Sequence, residues 1–194
     1  MTILISGHET TSSTLFWTLY CLHQNPRVEK RLVSEIRDVL GDEPPTVESL
    51  EKMSYPRMVI KETLRLYPAF ANLSKTVGAD DEIGGYFIPG GTLMNLCVYL
   101  THRHPDFWES PEEYRPERFE PEAVAARHPY AHIPFGRGPR ACIGEHFAML
   151  EAQLLLIRIL QKFKFELVPG HVVKPVARIT IWPEQGIKMR LSRR

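Results

Sequence analysis

An excess of one charge, paired cysteines and long apolar runs are all missing from this 194-residue sequence. With 24 Lys+Arg against 23 Asp+Glu the formal net charge is +1. The charges are mixed in sign along the chain, so there is no electrostatic footprint for nucleic acid. Cysteine occurs three times, at Cys21, Cys97 and Cys142. An odd number without paired spacing excludes a disulfide scaffold and fits a reducing compartment, on the cytoplasmic side of any membrane. No stretch approaches the ~18 uncharged apolar residues of a membrane-spanning helix. The first residues carry neither a charged n-region nor a small-residue cleavage site, so no signal peptide and no membrane anchor is visible. Disorder is excluded as well, because a hydrophobic content of 43% is enough to build one sizeable core.

What the sequence has in excess is proline. It has 16, and Pro105, Pro111, Pro116, Pro121, Pro129, Pro134 and Pro139 crowd one segment. That segment also carries Phe107, Trp108, Tyr114, Phe119, Tyr130 and Phe135, which predicts a packed, meandering loop instead of a flexible linker. Before it, apolar residues at Leu4, Leu15, Trp17, Leu19 and Leu22 predict a helix to about His23 with a hydroxyl-rich centre. Val28, Leu32, Ile36, Val39 and Leu40 predict a second helix between Pro26 and Gly41. A short helical turn is expected from Thr46 to Leu50 and a further helix from about Pro56 to Tyr67, ended by Pro68. Short strands around the Pro89-Gly90-Gly91 turn are expected between Phe70 and Leu100. Gly144 opens a last helix to about Phe163, its core stripe read as Phe147, Leu150, Leu154 and Ile157. The tail predicts two or three strands in one small sheet. The fold class is mainly α with small β-sheets, in one unit.

Three segments could carry chemistry. In Phe135-Gly136-Arg137-Gly138-Pro139-Arg140-Ala141-Cys142-Ile143-Gly144, Gly138 allows a positive-φ turn and Cys142 stands just before a helix. Unpaired N–H groups, the helix dipole and Arg140 favour a thiolate there. Considered alone, Cys142 reads foremost as a small buried hydrophobe. Glu62-Thr63-Leu64-Arg65 places a carboxylate and a guanidinium one turn apart. So do Glu112 and Arg115, and such pairs are ordinarily surface features worth ~0.2–0.5 kcal/mol. In Ser6-Gly7-His8-Glu9-Thr10-Thr11, Ser6 and Glu9 have capping-box spacing. A zinc-protease helix is excluded because Ser12 stands where a second histidine is required. His102 with His104, His128 with His132, and Cys142 with His146 have spacings found among zinc ligands, but no paired-cysteine knuckle accompanies them.

Together these segments resemble the cytochrome P450 family of haem-thiolate monooxygenases. The cysteine segment meets the family pattern F-x-x-G-x-R-x-C-x-G. Lys61-Glu62-Thr63-Leu64-Arg65-Leu66-Tyr67-Pro68 is similar to its K helix, Pro116-Glu117-Arg118-Phe119 to its PERF segment, and Ser6 to Thr11 to the oxygen-activating stretch of its I helix. The resemblance implies the C-terminal part of that fold, from I helix through K helix, meander, cysteine loop, L helix and terminal sheet. Residues 1–194 are then the haem-binding part of a single domain whose N-terminal half is absent, a fragment expected to be inactive alone.

It further implies haem b with iron ligated by Cys142, Arg140 on a haem propionate, Phe135 beside the sulfur, and Gly138 and Gly144 shaping the loop. Lys75 stands where many relatives place a propionate-binding arginine, and is equally read as an ordinary surface charge. Thr10 and Glu9 form the proton-handling alcohol–acid pair. Glu62, Arg65 and Arg118 form a buried structural network. Implied partners are an organic substrate, O2, and an electron donor, either a ferredoxin or flavodoxin or a flavoprotein reductase fed by NAD(P)H. The rival readings are a small metal-binding or interaction module and an inert fragment that holds no haem.

Overall fold

The computed structural model of the chain describes residues 2–194, with side chains from Ser6 onward. The predicted apolar position at Leu4 and the start at Met1 lie outside the residues whose side chains are described. Helix α1 (Thr2–Gln24) leads directly into α2 (Pro26–Leu40), followed by the single turn α3 (Val47–Leu50) and by α4 (Tyr55–Leu66). The hydroxyl-rich centre of α1 remains helical because its hydroxyls bond back to their own helix. Thr10 donates to the Ser6 carbonyl at 2.7 Å, Thr14 to Thr10 at 2.9 Å and Thr18 to Thr14 at 2.7 Å. These bonds satisfy groups that would otherwise compete with the backbone. In α2, Pro26 occupies the first turn, and Gly41 ends the helix with φ of 56°, its N–H donating to the Arg37 carbonyl at 2.9 Å.

Helix α4 is the centre of the molecule. It packs against α1, α2 and a 3-10 turn at Pro116–Phe119, and against α7 (Glu145–Lys162). Val59, Ile60, Glu62, Thr63 and Arg65 are all 0% exposed, so even its polar positions are interior. The ring of Tyr67, just past its end, lies 4.1 Å from that of Trp17 at an interplanar angle of 3°.

The short strands expected between Phe70 and Leu100 are present and form two antiparallel pairs. Strand β1 (Asn72–Thr76) pairs antiparallel with β4 (Leu93–Cys97), and β2 (Asp81–Ile83) with β3 (Tyr86–Ile88) forms a nested hairpin inside them. The expected Pro89-Gly90-Gly91 turn lies between β3 and β4, with Gly91 at φ 84° and the Thr92 N–H donating to the Pro89 carbonyl at 3.2 Å. A second, tight turn at Gly84-Gly85, at φ 60° and 83°, closes the β2–β3 hairpin. Positive φ at two adjacent residues is what a two-residue hairpin turn requires. The tail holds four strands, not two or three in one sheet: β5 (Phe163–Leu167) with β8 (Met189–Arg193), and β6 (Pro175–Ala177) with β7 (Ile181–Pro183).

The core stripe of α7 also differs from the predicted one. Its buried residues are Met149, Ala152, Gln153, Leu156, Ile157 and Leu160, while Phe147 is 69% exposed. Apolar side chains occur almost all round this helix, so periodicity alone allowed several stripes, and packing on α4 and α1 selected this one. The proline-dense segment is ordered as short pieces, α5 (Val98–Thr101) leading in, then the Pro116–Phe119 turn, α6 (Pro121–Ala126) and a second 3-10 turn at Gly138–Arg140. Among the described residues no helix is long and apolar enough to cross a membrane.

Burial on this axis sets a stability contrast. Ile60→Ala is expected to cost about 2–5 kcal/mol in urea unfolding, whereas Ile143→Ala, at a fully exposed position, shifts it by less than ~0.5 kcal/mol.

Candidate functional site

The cysteine loop is built by backbone hydrogen bonds around two left-handed glycines, Gly136 at φ 72° and Gly138 at φ 79°. The Gly136 N–H donates to the Ile133 carbonyl at 3.0 Å, and the Ala141 N–H to Gly138 at 3.0 Å. The Cys142 N–H donates to Phe135 at 2.9 Å and closes the loop. Phe135 and Cys142 are therefore clasped. Cys142 is exposed, directly before the positive end of α7, with Gly144 as its N-cap residue. A β-carbon at Gly144 would stand 3.9 Å from the Cys142 sulfur, and one at Gly136 would stand 3.5 Å from Leu73 Cδ1. Small residues thus line both sides of the loop, and Ile143 and Phe147, which follow the cysteine in sequence, are exposed. An exposed sulfur on a glycine-shaped loop, with exposed apolar residues following it in sequence and Arg140 two residues before it, suits a flat apolar macrocycle carrying anionic edges, so the residues present fit haem. Arg140 is exposed in its 3-10 turn and Lys75 is exposed on β1 opposite Met94. Their charged ends form no ion pair among the described residues.

Glu62, Arg65 and Arg118 come together. Arg65 donates from Nε and Nη2 to the two Glu62 carboxylate oxygens, each at 2.8 Å, with both side chains 0% exposed. The Arg115 N–H donates to Glu62 Oε1 at 2.8 Å, and Arg118 Nε lies 3.5 Å from that oxygen. Burial pushes the Glu62 carboxyl above the usual range, and Arg65, the Arg115 N–H and Arg118 pull it back. The remaining Arg65 protons reach the meander, on the carbonyls of His102 at 3.0 Å, Pro111 at 2.6 Å and Glu113 at 2.9 Å. By contrast Glu112, at identical spacing from Arg115, is 73% exposed and pairs with Arg103 at 3.2 Å.

On α1, Ser6 lies inside the helix, so the capping-box reading of Ser6 and Glu9 is corrected. Glu9 and Thr10 are neighbours with separate partners. The Thr10 hydroxyl donates to the Ser6 carbonyl, and Glu9 Oε1 accepts from Thr180 Oγ1 at 2.7 Å. Nothing in the local sequence around Thr180 signals this contact.

The histidines follow a different course from metal ligation. His102 Nε2 accepts from the Ile133 N–H at 2.9 Å, so Nδ1 carries the ring proton, toward the Arg65 carbonyl at 3.2 Å. Both nitrogens are committed to the frame, linking α4 to the approach of the cysteine loop. Its ring stacks on that of His132 with centroids 5.0 Å apart. Burial lowers the His102 pKa to about 4 from an ordinary 6.5, and pushes His132 well below its usual range.

Two predictions follow from these buried groups. Arg65→Met is expected to lower stability by about 3–5 kcal/mol, because it strands the Glu62 carboxylate, and Arg65→Lys recovers little of it, since an ammonium cannot fork; urea unfolding checks both. For the histidines, the unfolded rings take up protons near pH 6.5 and the folded His102 only near 4, so stability is full above about pH 6.5 and falls as pH drops toward 4. His102→Gln, which keeps a donor and an acceptor without titrating, should flatten part of that decline in unfolding midpoints measured between pH 7 and 4.

Comparison with known proteins agrees with this geometry. The family model for cytochrome P450 matches residues 1–191. Human cytochrome P450 4V2 is 41% identical over 196 residues, covering 100% of this chain and 37% of the relative. Human cytochrome P450 3A5 is 45% identical over 164 residues, covering 84% of this chain and 32% of the relative. The solved cytochrome P450DA heme domain superposes with a TM-score of 0.94 at 38% identity, covering all of this chain and 43% of that one. Spanning roughly a third to two-fifths of the length of these proteins, the chain belongs to the cytochrome P450 family of haem-thiolate monooxygenases.

Proposed function

We propose that residues 1–194 form the C-terminal, haem-binding part of a single cytochrome P450 domain, and that the longer protein hydroxylates an organic substrate. The balance of such a turnover is RH, O2, two electrons and two protons giving ROH and water. NAD(P)H supplies the electrons through a ferredoxin, a flavodoxin or a flavoprotein reductase. Residues 1–194 by themselves are inactive in this reading. Haem b, when bound, supplies binding and reductive activation of O2, promoted by electron density from a thiolate ligand.

The other roles fall to this chain's own side chains. Cys142 is the iron ligand, held in place by its N–H bond to the Phe135 carbonyl. Phe135 shields the sulfur, Gly138 keeps the loop turned back, and Gly144 keeps the neighbouring volume free of a side chain. Arg140 and Lys75 neutralise propionates. Arg140 does so from the better-defined position, because the 3-10 turn fixes its backbone. Thr10 and Glu9 hold a hydroxyl and a carboxylate side by side on α1, the two groups needed to pass protons into a site closed to bulk water. Glu62, Arg65 and Arg118 keep the meander, and with it the approach to the cysteine loop, in one conformation.

The observation that supports this reading most directly is the exposed Cys142 thiol on a glycine-shaped loop at the start of α7. The reduced, CO-bound absorption spectrum of the full-length protein tests it: a red-shifted Soret band of thiolate type is expected, lost in Cys142→Ala while helical circular dichroism is retained. A Cys142→Ala protein that keeps the band refutes the ligand assignment. Gly144→Val, which would set a branched side chain in contact with the sulfur, is expected to weaken the band without abolishing the fold.

A further inference from the structure

We infer that Thr180 is a positioning residue for Glu9, an inference that rests on the proposed part of Glu9 in proton supply. Glu9, Ser13 and Trp17 recur at intervals of four residues and so share one face of α1. All three meet the residues that turn from β6 into β7. Thr180 Oγ1 donates to Glu9 Oε1 at 2.7 Å, Ser13 Oγ donates to the Ile181 carbonyl at 3.2 Å, and Trp17 Nε1 donates to that same carbonyl at 2.9 Å. A second side of the turn is held as well. The Ile181 N–H donates to the Ala69 carbonyl, just past α4, at 3.0 Å, and the Arg178 N–H donates to the Thr180 carbonyl at 3.0 Å.

Thr180 and Ile181 are each 2% exposed, so the hydroxyl has no route into solvent. It has one proton to give, and that proton is directed at Glu9. A glutamate side chain turns about three bonds and loses rotamer entropy when fixed; a buried, charge-assisted donor selects one orientation for it. Thr10 lies roughly 100° further round the helix and has committed its own hydroxyl to the Ser6 carbonyl. It therefore does not compete for the Glu9 carboxylate. The acid on α1 is aimed from a hairpin 171 residues away in sequence, one that is itself fastened to α1 and to the segment after α4.

The test uses the haem-loaded full-length protein with Thr180→Val, which keeps the shape and removes the donor, and Thr180→Ser, which keeps the donor. Product formed per NAD(P)H consumed is expected to fall about tenfold in Thr180→Val, the size of one charge-assisted hydrogen bond, and to recover in Thr180→Ser. The missing electrons should appear as hydrogen peroxide, formed from O2, two electrons and two protons. Independently of turnover, the Glu9 infrared carboxylate bands, located by difference against Glu9→Gln, are expected to shift in Thr180→Val and to stay in place in Thr180→Ser. Unchanged bands and unchanged coupling in Thr180→Val, with coupling lost in Glu9→Gln, overturn the positioning role alone. Full coupling in Glu9→Gln overturns the proton-supply reading on which it rests.

Discussion

The buried pairing of Glu62 with Arg65 is the constraint on which the rest of this structure depends. The segment it holds is rich in proline, and each proline contributes a carbonyl acceptor without an N–H donor. Such a chain cannot satisfy its own backbone. Arg65 makes up part of the deficit by donating to the carbonyls of His102, Pro111 and Glu113, while Arg118 donates to that of Ser110 and Arg127 to that of Arg118. Guanidinium protons add to the segment's short helical turns as a source of order. The arrangement requires that a positive charge be buried, and Glu62 makes that tolerable by offsetting the charge at close range.

That anchoring extends to the cysteine loop by a short path. His102 gives its carbonyl to Arg65 and takes the Ile133 N–H on its ring, and the Ile133 carbonyl accepts from Gly136 at the start of the loop. From Arg65 near the end of α4 a run of hydrogen bonds thus passes through one neutral histidine to Gly136, next in the chain to the Phe135 carbonyl that accepts from the Cys142 N–H. The same helix end is tied to the β6–β7 hairpin through Ala69. Residues on α1 and residues around the cysteine loop, far apart in sequence, therefore share a common support in α4.

Legibility in the sequence followed the range of the interactions. The cysteine loop was readable because its geometry is local: a few glycines and an N–H bond within eight positions specify it. Glu62 and Arg65 were readable only from their neighbours, since the same spacing at Glu112 and Arg115 gives a solvent-exposed arrangement with other partners. The turn at Pro89-Gly90-Gly91 was readable from its own residues, whereas which strands pair, β2 with β3 and β1 with β4, is decided by cross-strand contacts that no local pattern specifies. The stripe on α7 was misjudged because apolar residues nearly encircle that helix. The bond from Thr180 to Glu9 had no local signal at all, being set by how a late hairpin docks on the first helix.

Trp17 carries a consequence of an optical kind. Its indole is fully buried, lies parallel to the Tyr67 ring and donates its N–H to the Ile181 carbonyl. One of the three tryptophans is therefore placed where the first helix, the end of the central helix and the last hairpin meet, so with Trp108 and Trp182 replaced by Phe its emission would report the joining of segments drawn from the beginning, middle and end of the chain.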